Sequence, residues 1–227
     1  MDSDDCFCET ALSDIDKTIK ENPSFGHYAF AANDMQDYYK NNLIIKGAKS
    51  KVLSYPDFLN GYVDCDFIHV MQREVLLCHP FNEQLRIYEG LFFLLFYRDV
   101  HHVLFTNNVV TIRERQRADS VTRDTIRIHK DVIRKNVLRQ ELMLKHFEDN
   151  MVSLGMNRKL HVVKMSLYED YVLLGEYDKA KALDLVTFKG NREKLLSVVC
   201  RSHTGWFCRL FLKSYLLLKY QLLNKKT

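Results

Sequence analysis

Six basic side chains between residues 113 and 134 form the pattern in this sequence that best suits a polyanion. They are Arg113, Arg117, Arg123, Arg127, Lys130 and Arg134. The last four follow one another at steps of four, three and four residues, which predicts one face of a helix. Such a face could bind DNA phosphates. It could equally be a solvated face that neighbouring carboxylates balance. Those carboxylates are Glu114, Asp119, Asp124 and Asp131.

The last segment of the chain carries a second surface pattern. A single helix is predicted from about residue 192 to residue 224, and its apolar side chains exceed what one small core needs. Charged residues interrupt it too often for a membrane span. We interpret it as a helix that docks on a partner protein. The expected contact residues are Trp206, Phe207, Leu210, Phe211, Tyr215 and Leu218.

Metal and catalytic patterns are weaker. Cys6 and Cys8 are separated by one residue, which is not the usual spacing of a structural zinc site, and no second matched pair accompanies them. His101 and His102 follow Asp99, but adjacent residues at a helix end point in different directions, which favours a surface or capping role. No phosphate-binding loop or nucleophile elbow occurs. We therefore expect a protein without enzymatic activity, bound metal or cofactor.

The elements that would position these residues centre on the apolar stretch 80–100. Pro80 predicts a helix start, because a proline at the first helical position loses no hydrogen bond. Apolar residues then recur at steps of three and four, which predicts a buried central helix. They are Phe81, Leu85, Tyr88, Leu91, Phe92, Leu95 and Phe96.

The flanking segments predict further helices. Helices are expected at 28–39, 55–63 and 66–77, and a loop at 41–54. Residues 101–111 contain β-branched residues and the pair Asn107–Asn108, which favours a loop or a short hairpin. Residues 113–150 contain no glycine or proline, which predicts one long helix or two that separate near Ser120.

Composition agrees with a mainly helical protein. The 227 residues are 47% apolar and 27% charged, with only 8 glycines and 3 prolines. The acidic start lacks the regions of an export signal, so the six cysteines are expected to be reduced thiols inside the cell. We predict an all-α protein, a compact multi-helix domain of helical hairpins with a long C-terminal partner-binding helix. Its expected segments are an N-terminal helical extension (1–50), a core helical domain (51–185) and a C-terminal docking helix (186–227).

A run of residues in the central stretch resembles a known family. Pro80–Phe81, then Gln84 to Ile87, then the pairs Leu91–Phe92 and Leu94–Leu95 resemble a motif of subunit 1 of the small nuclear RNA-activating protein complex. Similar spacing extends over roughly residues 54–167. Further matching positions are Tyr55, Asp57–Phe58, Phe67 to Arg73, and Phe147 to Met165.

The resemblance implies a non-catalytic subunit of the complex that binds the proximal sequence element of snRNA gene promoters. That complex supports transcription by RNA polymerases II and III in the nucleus. The implied partners are a Myb-repeat subunit, a zinc-containing subunit, the TATA-binding protein and promoter DNA through the complex, with no membrane. The basic helix would meet backbone phosphates without reading sequence. The alternative is a helical adaptor whose basic helix binds an anionic membrane or an acidic partner.

Overall fold

The computed structural model describes residues 6–85, 88–113, 130–183, 190–211 and 214. The chain divides into two units, Met1–Ser120 and Val121–Thr227, and each is described by itself. The first unit combines strands with short helices. Its elements are β1 (Cys6–Phe7), α1 (Ala11–Glu21), β2 (His27–Ala32), α2 (Gln36–Asn41), β3 (Ser50–Ser54), α3 (Tyr55–Asn60), β4 (Ile68–Met71), α4 (Arg73–Leu77), α5 (Gly90–Val100) and β5 (His102–Ile112).

The five strands form one mixed sheet in the order β1-β5-β2-β4, with β3 also pairing β5. β2 and β5 run parallel, in a register that begins with Tyr28 opposite Leu104. The other pairs are antiparallel. β3 lies along the first half of β5, and β1 lies along its end, where Cys6 faces Ile112. β5 therefore organises three of the other four strands.

The prediction of an all-α protein was wrong, because the first unit contains this five-stranded sheet. β2 lies in a segment that was expected to be helical. All six of its residues are buried, so it lacks the alternation of polar and apolar residues that identifies a half-buried strand. Its three alanines favour a helix in isolation, and pairing with strands on both sides overrides that preference.

Three further segments differ from the prediction. β3 occupies the end of the expected loop 41–54. β4 occupies part of the expected helix 66–77, and β5 is an eleven-residue strand where a loop or short hairpin was expected. Asn107 and Asn108 do not turn the chain. They lie where the register between β2 and β5 shifts, because Phe30 faces Thr106 whereas Ala31 faces Val109. The extra residues form an irregularity within the strand.

The central helix begins at Gly90 rather than at Pro80. The side-chain Oδ1 of Asn82 accepts the backbone N–H of Gln84 at 3.0 Å, and its carbonyl accepts that of Leu85 at 2.9 Å. These bonds close a short 3-10 turn at Glu83–Leu85 instead of a helical turn. α5 then buries one face, formed by Leu91, Phe92, Phe96 and Tyr97.

The second unit is helical in its described part. Its elements are α6 (Lys130–Ser153), α7 (Asn157–Leu174), α8 (Tyr177–Ala182) and α9 (Asn191–Arg201). α6 and α7 form a helical hairpin, and α7 ends at Gly175, whose φ of 84° suits glycine. Tyr168, Tyr171 and Val172 of α7 pack with Val199 and Cys200 of α9 in the core. Among the described helices, none combines the length and the apolar character needed to cross a membrane.

The predicted single helix 192–224 is interrupted. α9 ends at Arg201, residues 202–204 form a turn with His203 at a φ of 57°, and helix resumes at residue 205. Backbone hydrogen bonds close this turn, from the N–H of His203 to the carbonyl of Cys200 at 3.3 Å and from the N–H of Thr204 to the carbonyl of Val199 at 3.2 Å. Residues beyond 211, apart from 214, lie outside the described residues.

Two imidazoles are packed together in the core of the first unit. Nε2 of His27 lies 2.9 Å from Nδ1 of His69, and the His27 ring stacks on Tyr97 at 5.3 Å. Burial, and then the neighbouring His69, lower the pKa of His27 to about 2. Burial, and then the charge of Arg113, lower the pKa of His69 to about 3. Both rings are therefore neutral in the folded protein at ordinary pH.

We expect the first unit to lose stability between pH 7 and pH 5. Each imidazole titrates near 6.5 when unfolded, so acidification protonates the unfolded chain before the folded one. The free energy of unfolding should fall by about 2 kcal/mol per imidazole across this range. NMR signals of the β2 alanine amides, followed during urea titration at each pH, measure it.

His27→Phe removes one titrating ring and should roughly halve this pH dependence. His102→Gln, at an exposed position of β5, is the matched control and should retain all of it. Equal urea midpoints for the wild type at pH 7 and pH 5 would contradict the neutral imidazole pair.

Candidate functional site

Polar side chains converge where the two parallel strands end. β2 ends at Ala32 and is followed by Asn33 and Asp34, while β5 ends at Ile112 and is followed by Arg113. β4 runs the opposite way, so the residue that leads into it, Asp66, lies at the same edge of the sheet. We call Asn33, Asp34, Asp66 and Arg113 the edge cluster. The carboxyl ends of parallel strands are the usual place for ligands in open α/β sheets.

Direct contacts hold three members of the edge cluster together. The backbone N–H of Arg113 donates to Oδ1 of Asn33 at 2.9 Å, which ties the ends of β2 and β5. Nη1 of Arg113 lies 3.4 Å from Oδ2 of Asp66. That separation is longer than a strong charge-assisted bond, so Asp66 uses little of the guanidinium's capacity. Nε of Arg113 is buried and has no acceptor among the described residues.

The buried Tyr39 hydrogen-bonds to the backbone next to the edge cluster and holds it in position. Its hydroxyl donates to the carbonyl of Asp66 at 2.9 Å and accepts the backbone N–H of Ala32 at 3.2 Å. The ring is fully buried and stacks on Phe67 at 5.7 Å. Burial raises the pKa of the Tyr39 hydroxyl above its usual range, so it stays protonated and remains a donor.

The electrostatic balance at this edge is acidic. Among the described residues, Asp34 and Asp66 supply two carboxylates to the edge cluster and Arg113 supplies one guanidinium, which lies 3.4 Å from Asp66. The first unit as a whole carries 12 lysines and arginines against 18 aspartates and glutamates, a net charge of −6. Burial, followed by the charges of Asp66 and Asp64, raises the pKa of the nearby Cys65 thiol above its usual range. Cys65 is therefore a neutral thiol and a poor nucleophile.

The edge cluster can bind hydroxyl groups. Ionised carboxylates only accept hydrogen bonds, a guanidinium only donates, and an amide does both. Asn33 and Asp66 are exposed, whereas only 15% of the Arg113 side chain is exposed. A ligand would therefore first contact the exposed acceptor oxygens of Asn33 and Asp66. The guanidinium of Arg113, which is mostly buried, would donate to it from behind them. Residues 114–129, which directly follow Arg113, lie outside the described residues.

Sequence reasoning missed three of the four cluster residues. It selected Arg113, but as part of a basic helix and not as the end of a strand. The available signal was the sequence Asn33–Asp34 directly after a short apolar run. Polar residues after a buried strand predict a ligand site only once the run is recognised as a strand, and β2 was predicted to be helical.

At the opposite edge of the sheet, His79 and Asp99 form a tie between α4 and α5. Nε2 of His79 lies 2.8 Å from Oδ2 of Asp99, and Asp99 also lies 3.7 Å from Nε of Arg98. Asp99 and Arg98 belong to the last turn of α5, and His79 follows α4. We interpret the pair as a structural link, because it lies away from the carboxyl ends of the parallel strands.

The described members of the predicted DNA-binding set do not share one helix. Arg113 follows β5 in the first unit, whereas Lys130 and Arg134 lie on the first turns of α6 in the second unit. Lys130 and Arg134 are exposed, and Nη1 of Arg134 lies 3.6 Å from Asp131. Arg117, Arg123 and Arg127 lie outside the described residues.

Four members of the predicted partner-binding set lie together on the helical residues 205–211, which we call the terminal segment. Trp206, Phe207, Leu210 and Phe211 are all exposed. The other two, Tyr215 and Leu218, lie outside the described residues. In the part of the chain that the structure describes, no group of three or more histidine, cysteine, aspartate or glutamate side chains could hold a metal ion.

A buried polar network joins α6 to α7. Nε2 of Gln140 donates to Oγ of Ser166 at 3.1 Å and to Oδ2 of Asp170 at 2.9 Å. Gln140 is buried, and its Oε1 has no donor among the described residues. Burial, with the nearby charge of Glu169, raises the pKa of Asp170 to about 7 against the opposing hydrogen bond from Gln140. This carboxyl therefore changes charge near neutral pH.

Comparison with protein-family models, with curated proteins and with solved structures finds no match to this chain. The edge cluster and the exposed terminal segment are therefore the features from which a function can be inferred.

We expect the second unit to lose stability as pH rises from 5 to 8. The unfolded Asp170 carboxyl ionises near pH 4, whereas the folded one ionises near 7. The folded state thus binds the extra proton between these values, and the free energy of unfolding should fall by up to about 1.4 kcal/mol per pH unit. Urea denaturation followed by the fluorescence of Trp206, the only tryptophan, measures it.

Asp170→Asn should flatten this pH dependence, because the amide stays neutral and its N–H can donate to the free Oε1 of Gln140. Asp149→Asn, at an exposed position of α6, is the control and should leave the slope as in the wild type. A slope that survives in Asp170→Asn would assign the titration to another group.

Proposed function

We propose that the first unit binds a polyhydroxylated small molecule, such as a sugar, at the edge cluster. The observation that carries this proposal is the meeting of Asn33, Asp66 and Arg113 at the carboxyl ends of β2 and β5. Neighbouring hydroxyls each donate and accept one hydrogen bond, so they match an alternation of carboxylate, amide and guanidinium.

The charge of the unit supports a neutral ligand over an anion. The net charge of −6 over the unit repels anions. The carboxylates gain from hydroxyl donors, since a buried or half-buried carboxylate is stabilised by every N–H or O–H that it accepts. Asp34, which is half-buried and lies two residues after β2, is the second aspartate of the cluster.

The rigid parts beneath the cluster support binding without large rearrangement. Asn33 is fixed by the backbone of Arg113, and Asp66 is fixed through its carbonyl by the buried hydroxyl of Tyr39. Groups that are already held in position lose little freedom when a ligand arrives, which favours affinity.

The proposal predicts a specific loss of binding in edge variants. The full chain would be titrated calorimetrically with hexoses, pentitols, nucleosides and dicarboxylates. We expect at least one hydroxylated compound to bind and no dicarboxylate to do so. Arg113→Gln and Asp34→Asn should each weaken binding by about 10- to 100-fold, because each replaces a charged hydrogen-bonding group with a neutral one.

Matched controls separate binding from folding. Asp16→Asn on α1 and Arg98→Gln on α5 make the same chemical changes away from the edge and should bind as the wild type does. Circular dichroism establishes that each variant is folded. The proposal is wrong if no hydroxylated compound binds, or if folded Arg113→Gln and Asp34→Asn bind as tightly as the controls.

The implied role as a subunit of an snRNA promoter complex stays a prediction. It depends on residues 54–167, and the all-helical fold expected with it was wrong. Affinity purification from nuclear extract is its test. Recovery of a Myb-repeat subunit and a zinc-containing subunit with the tagged chain would support that role, and their absence would contradict it.

A further inference from the structure

The terminal segment, residues 205–211, presents an apolar face to solvent. The residues on its inner side are Gly205, Cys208 and Arg209, which are buried or half-buried. The outer side consists of large apolar residues, Trp206 (54% exposed), Phe207 (59%), Leu210 (51%) and Phe211 (65%). A helix on a protein surface normally points such residues inward. This outer face is therefore suited to contact with another apolar surface.

Specific contacts hold the segment in this orientation. The backbone N–H of Gly205 donates to the hydroxyl of Tyr177 at 3.0 Å, and Nη1 of Arg209 donates to the carbonyl of Leu173 at 3.0 Å. Gly205 lies so close to α7 that a β-carbon there would come within 1.9 Å of the carbonyl oxygen of Val172. Turning the aromatic residues inward would break these contacts, so their exposure is built into the packing.

The preceding helix extends the apolar surface and adds charge. Leu195 and Val198 of α9 are 64% and 60% exposed, and they lie between Lys194 and Arg201 at helical spacing. Neither cation has a carboxylate within ion-pair distance among the described residues. Six of the nine large apolar residues that are exposed in the described part of this unit fall within residues 195–211.

The second unit is strongly basic. Val121–Thr227 carries 21 lysines and arginines against 11 aspartates and glutamates, a net charge of +10. A unit of this charge is drawn to an anionic surface, and each basic residue near such a surface adds to the attraction. The near-neutral total of +4 for the whole chain hides this asymmetry, because the first unit is acidic.

We propose that α9 and the terminal segment bind an anionic lipid surface, with Trp206, Phe207, Leu210 and Phe211 inserted among the headgroups. Exposed Trp, Phe and Leu on one side of a helix, together with nearby lysines and arginines, are the features of helices that lie in a membrane interface. A nucleic acid fits less well, because the described outer side of the terminal segment consists of large apolar residues, whereas protein–DNA interfaces are polar and strongly positive. The proposal is independent of the ligand at the edge cluster.

Trp206 makes the proposal directly measurable, because it is the only tryptophan and lies on the outer face. The full chain would be mixed with vesicles of phosphatidylcholine alone, and with vesicles containing about 30% phosphatidylglycerol. We expect a blue shift of the tryptophan emission and quenching by brominated acyl chains with the anionic vesicles. Binding should be about tenfold or more tighter than to neutral vesicles and should weaken at about 0.5 M salt.

Paired variants separate apolar insertion from general destabilisation. Phe207→Asp with Phe211→Asp should reduce vesicle binding by about tenfold or more, because two charged groups would enter the interface. The matched control is Val152→Asp with Val162→Asp, which places the same charges at positions of similar exposure (56% and 55%) on α6 and α7. This control should bind nearly as well as the wild type, as should Asp34→Asn, which alters only the edge cluster.

Several results would overturn the proposal. The proposal is wrong if the protein does not bind anionic vesicles, or if it binds neutral vesicles equally well. It is also wrong if the protein binds vesicles without a change in Trp206 emission, or if both double variants lose vesicle binding to the same extent. A shift of Trp206 emission on adding duplex DNA or a purified acidic protein, but not vesicles, would assign the surface to that partner instead.

Discussion

The parallel pairing of β2 with β5 is the constraint on which the first unit depends. It places the ends of the two strands side by side, which allows the backbone of Arg113 to meet the side chain of Asn33. β1 and β3 pair only with β5, and β4 pairs only with β2, so no strand of the sheet is independent of this pair. The paired residues lie far apart in sequence, and such non-local contacts cost chain entropy before they stabilise.

The two units bury polar groups in a similar way but with opposite titration behaviour. In the first, Nε2 of His27 pairs with Nδ1 of His69 inside an aromatic shell. In the second, Gln140 bonds Asp170 across a helical hairpin. Burial disfavours the charged form in both cases, which means that the imidazoles stay neutral and the carboxyl holds its proton longer. In each arrangement the buried polar groups lose their hydration, and their hydrogen bond fixes the relative position of two neighbouring elements.

Parts of this architecture were accessible from sequence. The charge and the apolar excess at the C-terminus identified Trp206 and Phe211 as surface residues of a helix, because no small core could use them all. The strands were not accessible. β2 was predicted to be a helix because its residues are buried on both faces and so lack the alternation of polar and apolar residues of a half-buried strand. β4 has only four residues, which is too short for its alternation to be recognised. The edge cluster was hidden for the same reason, since Asp66 and Arg113 meet only after β4 and β5 have joined β2.

The irregularity in β5 bears on how this chain can vary among related sequences. Between Phe30 and Ala31 the register advances from Thr106 to Val109, so β5 carries residues that no residue of β2 faces. A length change at this point is absorbed locally, whereas one before Thr106 would move every later side chain to the other face of the sheet. Insertions and deletions should therefore concentrate at Asn107–Asn108. The spacing from there to Arg113 should stay constant wherever the edge cluster is kept.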